Sequence, residues 1–168
     1  MTAVTNTSPL NYLVQIGEAE ALAILGGRVH IPATVAAELR ADAAPEEVRR
    51  WIASPPTWLQ VHPVTARPLP TIVELHPGER DAILLARELN ADFLVMDELD
   101  GRAAARACGL TVIGTLGLLE LAAARGKVDF QESLRRLRGT NFYASPRLID
   151  EFLERDRLRR EKREGKQR

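Results

Sequence analysis

The sequence predicts an α/β fold, a parallel sheet with helices on both faces. Three observations predict it. Short apolar runs at Val29–Ile31, Phe93–Met96 and Leu110–Ile113 are too brief for helices and suit strands buried on both faces. Segments with helical apolar spacing separate them, as right-handed crossovers between parallel strands require. Asn6 follows a first strand, and Asp97, Glu98 and Asp100 follow a later one. That is the edge on which open parallel sheets place their ligands.

Taken in order, Thr2–Thr5 reads as a strand ending at Asn6. Thr7-Ser8-Pro9 opens a helix, with Thr7 or Ser8 as its cap and Leu10, Leu13, Val14 and Ile16 as its apolar face; Gly17 ends it. Glu18–Leu25 is a short helix closed by Gly26-Gly27. After the strand Val29–Ile31, Pro32 begins a helix through Ala41 with Val35, Ala36 and Leu39 inward and Glu38 beside that face. Pro45–Ala53 is a further helix with early acids and late bases, the order the helix dipole prefers. Ser54–Pro70 carries five prolines and reads as an excursion within one domain, with Trp58–Val61 as an edge strand.

His76–Arg106 is the stretch around which the chain is organised. Pro77 starts a helix, Glu79 and Asp81 occupy its first turn, and Ile83, Leu84, Ala86 and Leu89 form its buried face. Asn90-Ala91 ends it, Phe93–Met96 is a buried strand, and a second helix follows the acids. Leu110–Ile113 is another strand, and Gly114–Gly117 leads into a helix through Ala124 closed by Gly126. Asp129–Arg138 and Ser145 to about Lys162 are the last two helices.

Composition narrows the partners. The 168 residues fit one domain, with 45% apolar and 27% charged residues and no net charge. Of 23 basic and 23 acidic residues, eight and three fall in Arg155–Arg168, leaving 15 and 20 in the rest. An acidic body points to metal or protein contacts, and a basic tail to nucleic acid or to a solvated helix end. Cys108 is the only cysteine, which excludes an internal disulfide and favours a reducing compartment. No signal-like N-terminus or 20-residue apolar span occurs, so a cytoplasmic protein with no membrane partner is expected.

Several chemistries are excluded by spacing. There is no GxGxxG or GxxxxGK[ST] phosphate cradle, no HExxH or paired cysteines for zinc, and no GxSxG elbow. What remains is a set of oxygen ligands at element ends: Asn6, Glu38, Asp81, Asp97, Glu98 and Asp100. Hard cations such as Mg²⁺ and Mn²⁺ choose such ligands, and clustered carboxylates need a cation to stay ionised together. Glu79 and Asp81 also suit a helix N-terminus without any metal.

VTNTSPL at Val4–Leu10, IPxxVxxEL at Ile31–Leu39, PGExDAIxLA at Pro77–Ala86, the LVMDE strand end and GLxVIGTLG at Gly109–Gly117 occur in succession. In this order they resemble the PIN domain superfamily, in particular a prokaryotic PIN-like branch related to toxin ribonucleases. The resemblance implies a three-layer α/β/α sandwich with a central parallel sheet of four to five strands. It implies a nuclease domain over residues 1–140, followed by a C-terminal helix and basic tail over 141–168.

It also implies a ribonuclease dependent on Mg²⁺ or Mn²⁺, acting on RNA, with an antitoxin protein as partner in toxin members and a homodimer by analogy. Carried over by position, Asp81, Asp97 and Glu38 are the catalytic acids, and Asn6 and Glu98 complete the metal ligands. Thr115, Asp100 and Glu79 support them. Asn6 stands where toxin-type members carry aspartate, so a second reading is a PIN-like module that binds RNA or protein without cutting. A third is an unrelated α/β scaffold that binds no divalent ion. The basic tail, or Arg49, Arg50 and Trp51, is expected to meet RNA.

Overall fold

A computed structural model describes residues 1–166. Five parallel strands form one sheet in the order β3-β2-β1-β4-β5. They are β1 (Thr2–Thr5), β2 (Arg28–Pro32), β3 (Leu59–His62), β4 (Phe93–Val95) and β5 (Val112–Ile113). The first three wind outward to one side of β1, and β4 and β5 to the other. The winding therefore reverses between β1 and β4, where Val4 lies in register with Leu94 and Thr5 with Val95. A crevice opens at the C-terminal ends of two such strands, because their crossovers leave in opposite directions.

Side chains alternate between the two faces. Ala3, Val29 and Ile31 join a core built with α1 (Thr7–Gln15), α2 (Ala33–Arg40), α3 (Glu46–Ala53), α6 (Thr115–Ala124) and α7 (Phe130–Leu137). Val4 and Leu94 face the opposite core, built with α4 (Pro77–Glu88) and α5 (Leu99–Ala107). The Pro-rich excursion contributes to this second core, where Ile72 is fully buried and Val64, Leu69 and Leu75 pack around it. The three-layer sandwich is as expected.

Local differences have local causes. Ala19–Leu25 is a 3₁₀ helix rather than an α-helix. The final strand shrinks to Val112–Ile113 at the sheet edge, where it has one neighbour. Thr7 and Ser8 lie inside α1, whose cap position is Asn6 with no side-chain capping bond. Their hydroxyls are spent on carboxylates of the site.

The last helix, α8 (Pro146–Gly165), continues past Lys162 and packs on α6. Phe152 stacks on Phe130 with ring centroids 6.0 Å apart, and the Arg155 guanidinium sits 4.2 Å above the Phe152 ring. Buried Asp156 is paired with Arg159 and with Arg160 at 2.8 Å. Arg155 reaches Glu120 at 2.6 Å, and Arg163 lies against Gly126. The basic end of α8 thus runs beside the C-terminal end of α6. Of the basic tail, Gln167 and Arg168 lie outside the described residues.

Candidate functional site

At the switch point, β1 delivers Asn6 and β4 delivers Met96, Asp97 and Glu98. Asn6 is buried, and its Nδ2 donates to Glu98 Oε2 at 2.9 Å. The Ser8 hydroxyl donates to the other oxygen of Glu98. The Thr7 hydroxyl donates to Glu38 Oε2, and His76 Nδ1 lies 3.3 Å from Glu38 Oε1. A β-carbon added at Gly78 would sit 2.6 Å from Glu38 Oε2, so this carboxylate lies directly against the first turn of α4 and a larger residue there would push it aside. The result is a hollow of about 350 Å³ into which Asn6, Glu38, Glu79 and Glu98 come from four different elements.

Glu79 lies in the first turn of α4. Partial burial, and then the negative charge of Glu98, push its carboxyl above the usual range, against the pull of a backbone hydrogen bond at His76. Asp100, exposed in the first turn of α5, adds to that repulsion without lining the hollow.

Two expected metal-binding acids have other bonds. Asp97 Oδ1 accepts from the Thr115 backbone N–H at 2.7 Å, and Oδ2 from the Thr115 hydroxyl at 2.6 Å. Burial raises the Asp97 pKa while both Thr115 bonds oppose the shift. Thr115 therefore neither caps α6 nor reaches toward the hollow; its N–H and hydroxyl both hold Asp97 at the start of that helix. Asp81 is buried on another face of α4, with Oδ1 3.1 Å from Arg80 Nε, and does not line the hollow.

Of the expected acids, Glu38, Glu79 and Glu98 line the hollow, and Asp81, Asp97 and Asp100 do not. Sequence reasoning also passed over Thr7, Ser8, His76 and Gly78. The two hydroxyls did carry a signal, since they follow a strand end directly, as Asn6 does.

The donor set fits a hard divalent cation. Asn6 Oδ1 is buried without a hydrogen-bond partner, a state that costs roughly 1–3 kcal/mol. Turning the amide over would not relieve it, because Oδ1 would then face the Glu98 carboxylate. The protein donors on Glu38 and Glu98 are hydroxyls, an amide and a histidine, so a cation that displaces them strands no buried arginine or lysine. Among the described residues, no three His, Cys, Asp or Glu side chains are grouped closely enough to hold an ion as they stand.

Aromatic residues of α3 are engaged elsewhere. Trp51 packs 6.0 Å from Trp58, whose indole N–H donates to Glu20, and Arg50 pairs with Glu46. Neither Trp51 nor the basic end of α8 lines the hollow.

A doubly wound parallel sheet with acids at its switch point defines an α/β/α sandwich domain of PIN-like architecture. The chain belongs to the PIN domain superfamily: the model of the PIN-domain family DUF3368 matches residues 2–157. No curated protein and no solved structure matches it. PIN domains are generally nucleases that use divalent metals and bind RNA. No helix among the described residues is long and apolar enough to cross a membrane.

Proposed function

We propose that this chain is a divalent-metal-dependent endoribonuclease whose ligands are Glu38, Glu79, Glu98 and the Asn6 amide oxygen. One observation carries the reading. Four oxygen-bearing side chains from four elements meet in one hollow at the switch point, and one of their oxygens is buried without a partner. A bound Mg²⁺ or Mn²⁺ would supply Lewis-acid polarisation of the phosphate and an activated water.

The protein's own residues do the positioning. Ser8 and Asn6 orient the two oxygens of Glu98, and Thr7 with His76 orients those of Glu38. Asp97 acts through α6, as a positioning residue that fixes the strand end from which Glu98 projects.

The neutral Asn6 favours a second reading, a PIN-like module that binds RNA without cutting it. Calorimetry with Mn²⁺ and a cleavage assay at saturating metal separate the two. Wild type is expected to bind Mn²⁺ and cut RNA, and Glu98→Gln to lose both. Metal binding without cleavage would favour the module, and unchanged cleavage in both Glu98→Gln and Glu79→Gln would overturn the site. The reading extends to a toxin role: expression of the wild-type chain then arrests growth, Glu98→Gln does not, and a co-expressed antitoxin relieves the arrest.

A further inference from the structure

Two of the chain's three histidines meet on the sheet, and neither lines the acid hollow. His30 on β2 lies in register with Gln60 of β3, and His62 ends β3 two residues further on. Alternation puts both imidazoles on one face of the sheet. Val4 shares that face, in register with His30, so it is the face of the second core. His30 Nδ1 lies 2.8 Å from His62 Nε2, with ring centroids 4.9 Å apart, and both residues are half-buried. They are 32 apart in sequence, so no zinc spacing pattern reveals the pair.

In this contact one imidazole donates to the other, and a single proton sits between two nitrogens that are both metal ligands when neutral. Burial first, then His62 and Arg28, hold the His30 pKa below its ordinary value, which keeps that ring neutral at neutral pH. We propose that the pair is a second metal site, a clip for a borderline cation of the Zn²⁺ or Ni²⁺ class that takes the place of the shared proton. The donor ring then carries its proton on its outward nitrogen, so none is released. Imidazole selects such ions, whereas the all-oxygen hollow suits Mg²⁺ and Mn²⁺.

Two nitrogens each about 2.0–2.1 Å from a tetrahedral ion stand about 3.3 Å apart, about 0.5 Å more than here. His62 supplies that movement, because it ends an edge strand with one neighbour and Pro63 follows it. No third histidine, cysteine or acid joins the pair among the described residues, so water completes the ion's shell. An ion held there ties β3 to β2 where the chain leaves the sheet for the Pro-rich excursion.

The test is calorimetry and thermal melting with Zn²⁺ on wild type, His30→Asn, His62→Gln and His76→Ala, each repeated with Mn²⁺. Asparagine and glutamine keep a hydrogen-bonding side chain at the pair and remove the imidazole. Wild type and His76→Ala are expected to bind Zn²⁺ and to melt higher with it, since a ligand of the folded state stabilises that state. In His30→Asn and His62→Gln this affinity is expected to fall by more than about tenfold, the lower end of the loss for even an outer partner of a metal ligand. Nitrogen NMR of the wild-type rings should show the His30 and His62 signals moving with Zn²⁺, a readout that stands even where a variant fails to fold.

Zn²⁺ bound equally by wild type, His30→Asn and His62→Gln would overturn the clip, as would ring signals of His30 and His62 that stay in place. Zn²⁺ binding lost only in His76→Ala would also overturn it, by putting the ion at the acid hollow. The Mn²⁺ arm keeps the nuclease reading separate: both histidine-pair variants should bind Mn²⁺ as wild type does, and Mn²⁺ binding lost together with Zn²⁺ binding would mean that the pair is no independent site.

Discussion

At the residue scale, Asn6 decides how the site holds together. Its Nδ2 donates to Glu98 Oε2 at 2.9 Å, so the amide partly neutralises a carboxylate that aspartate would repel. Asn6→Asp exchanges that bond for like charges at contact, and the lost bond together with the repulsion is worth roughly 1–3 kcal/mol. The variant is expected to melt several degrees lower than wild type in a chelator and to recover most of the difference with Mn²⁺. Wild type should respond less to the metal. Thermal melts with and without Mn²⁺ measure this, and an Asn6→Asp protein that is equally stable in both conditions would count against a cation at this position.

The residue scale is also where the sequence was least legible. Glu79 and Asp81 are two apart on one helix and therefore about 200° apart around it. Which of them faces the hollow depends on how α4 is rotated on the sheet, and both positions are equally good for a helix start. Asn6 and Glu98 needed no such knowledge, because a strand end already placed them, and Glu38 was read beside the inward face of its helix.

At the element scale, the ends of helices were readable wherever capping was local and unreadable wherever a distant side chain did the work. Asp129 was legible as the start of α7, and it accepts from the Glu132 N–H at 3.0 Å. Asp97, by contrast, binds the first N–H of α6 from 18 residues away, which no local pattern could reveal.

Asp129 also bonds Arg160 of α8 at 3.0 Å, and the Glu132 N–H, followed by Arg160, holds its carboxyl below the usual range. A depressed folded-state pKa stabilises above the unfolded aspartate pKa near 4, and that stabilisation is lost as the pH falls through the folded value. Asp129→Ala is expected to cost about 1 kcal/mol at pH 7, the usual worth of a cap. The gap between variant and wild type should close as denaturation is repeated below pH 4. A gap that stays constant to pH 2 would mean that the carboxylate's charge contributes nothing.

Across the whole molecule, alternation of short apolar runs with helices predicted the parallel sheet, because crossovers leave few other topologies. The position of α8 was not predictable that way. Its basic residues looked like a tail free to meet RNA, yet Phe152 stacks on Phe130 of α7 and Arg155 reaches Glu120 of α6, which fixes the helix against both. From Thr115, which holds Asp97, α6 runs ten residues, so the Arg163 end of α8 lies about 15 Å from the start of α6. Charges at that distance are largely screened at physiological salt, where the Debye length is about 8 Å. The triple variant Lys162→Ala, Arg163→Ala and Lys166→Ala should therefore cut a short RNA within about twofold of the wild-type rate. Its affinity for a long RNA, which can reach both ends of the sheet, should fall and depend less on salt. A tenfold loss on the short RNA would mean that substrate lies along α6 toward the basic end, and the path of the strand away from Glu98 would have to be redrawn along that helix.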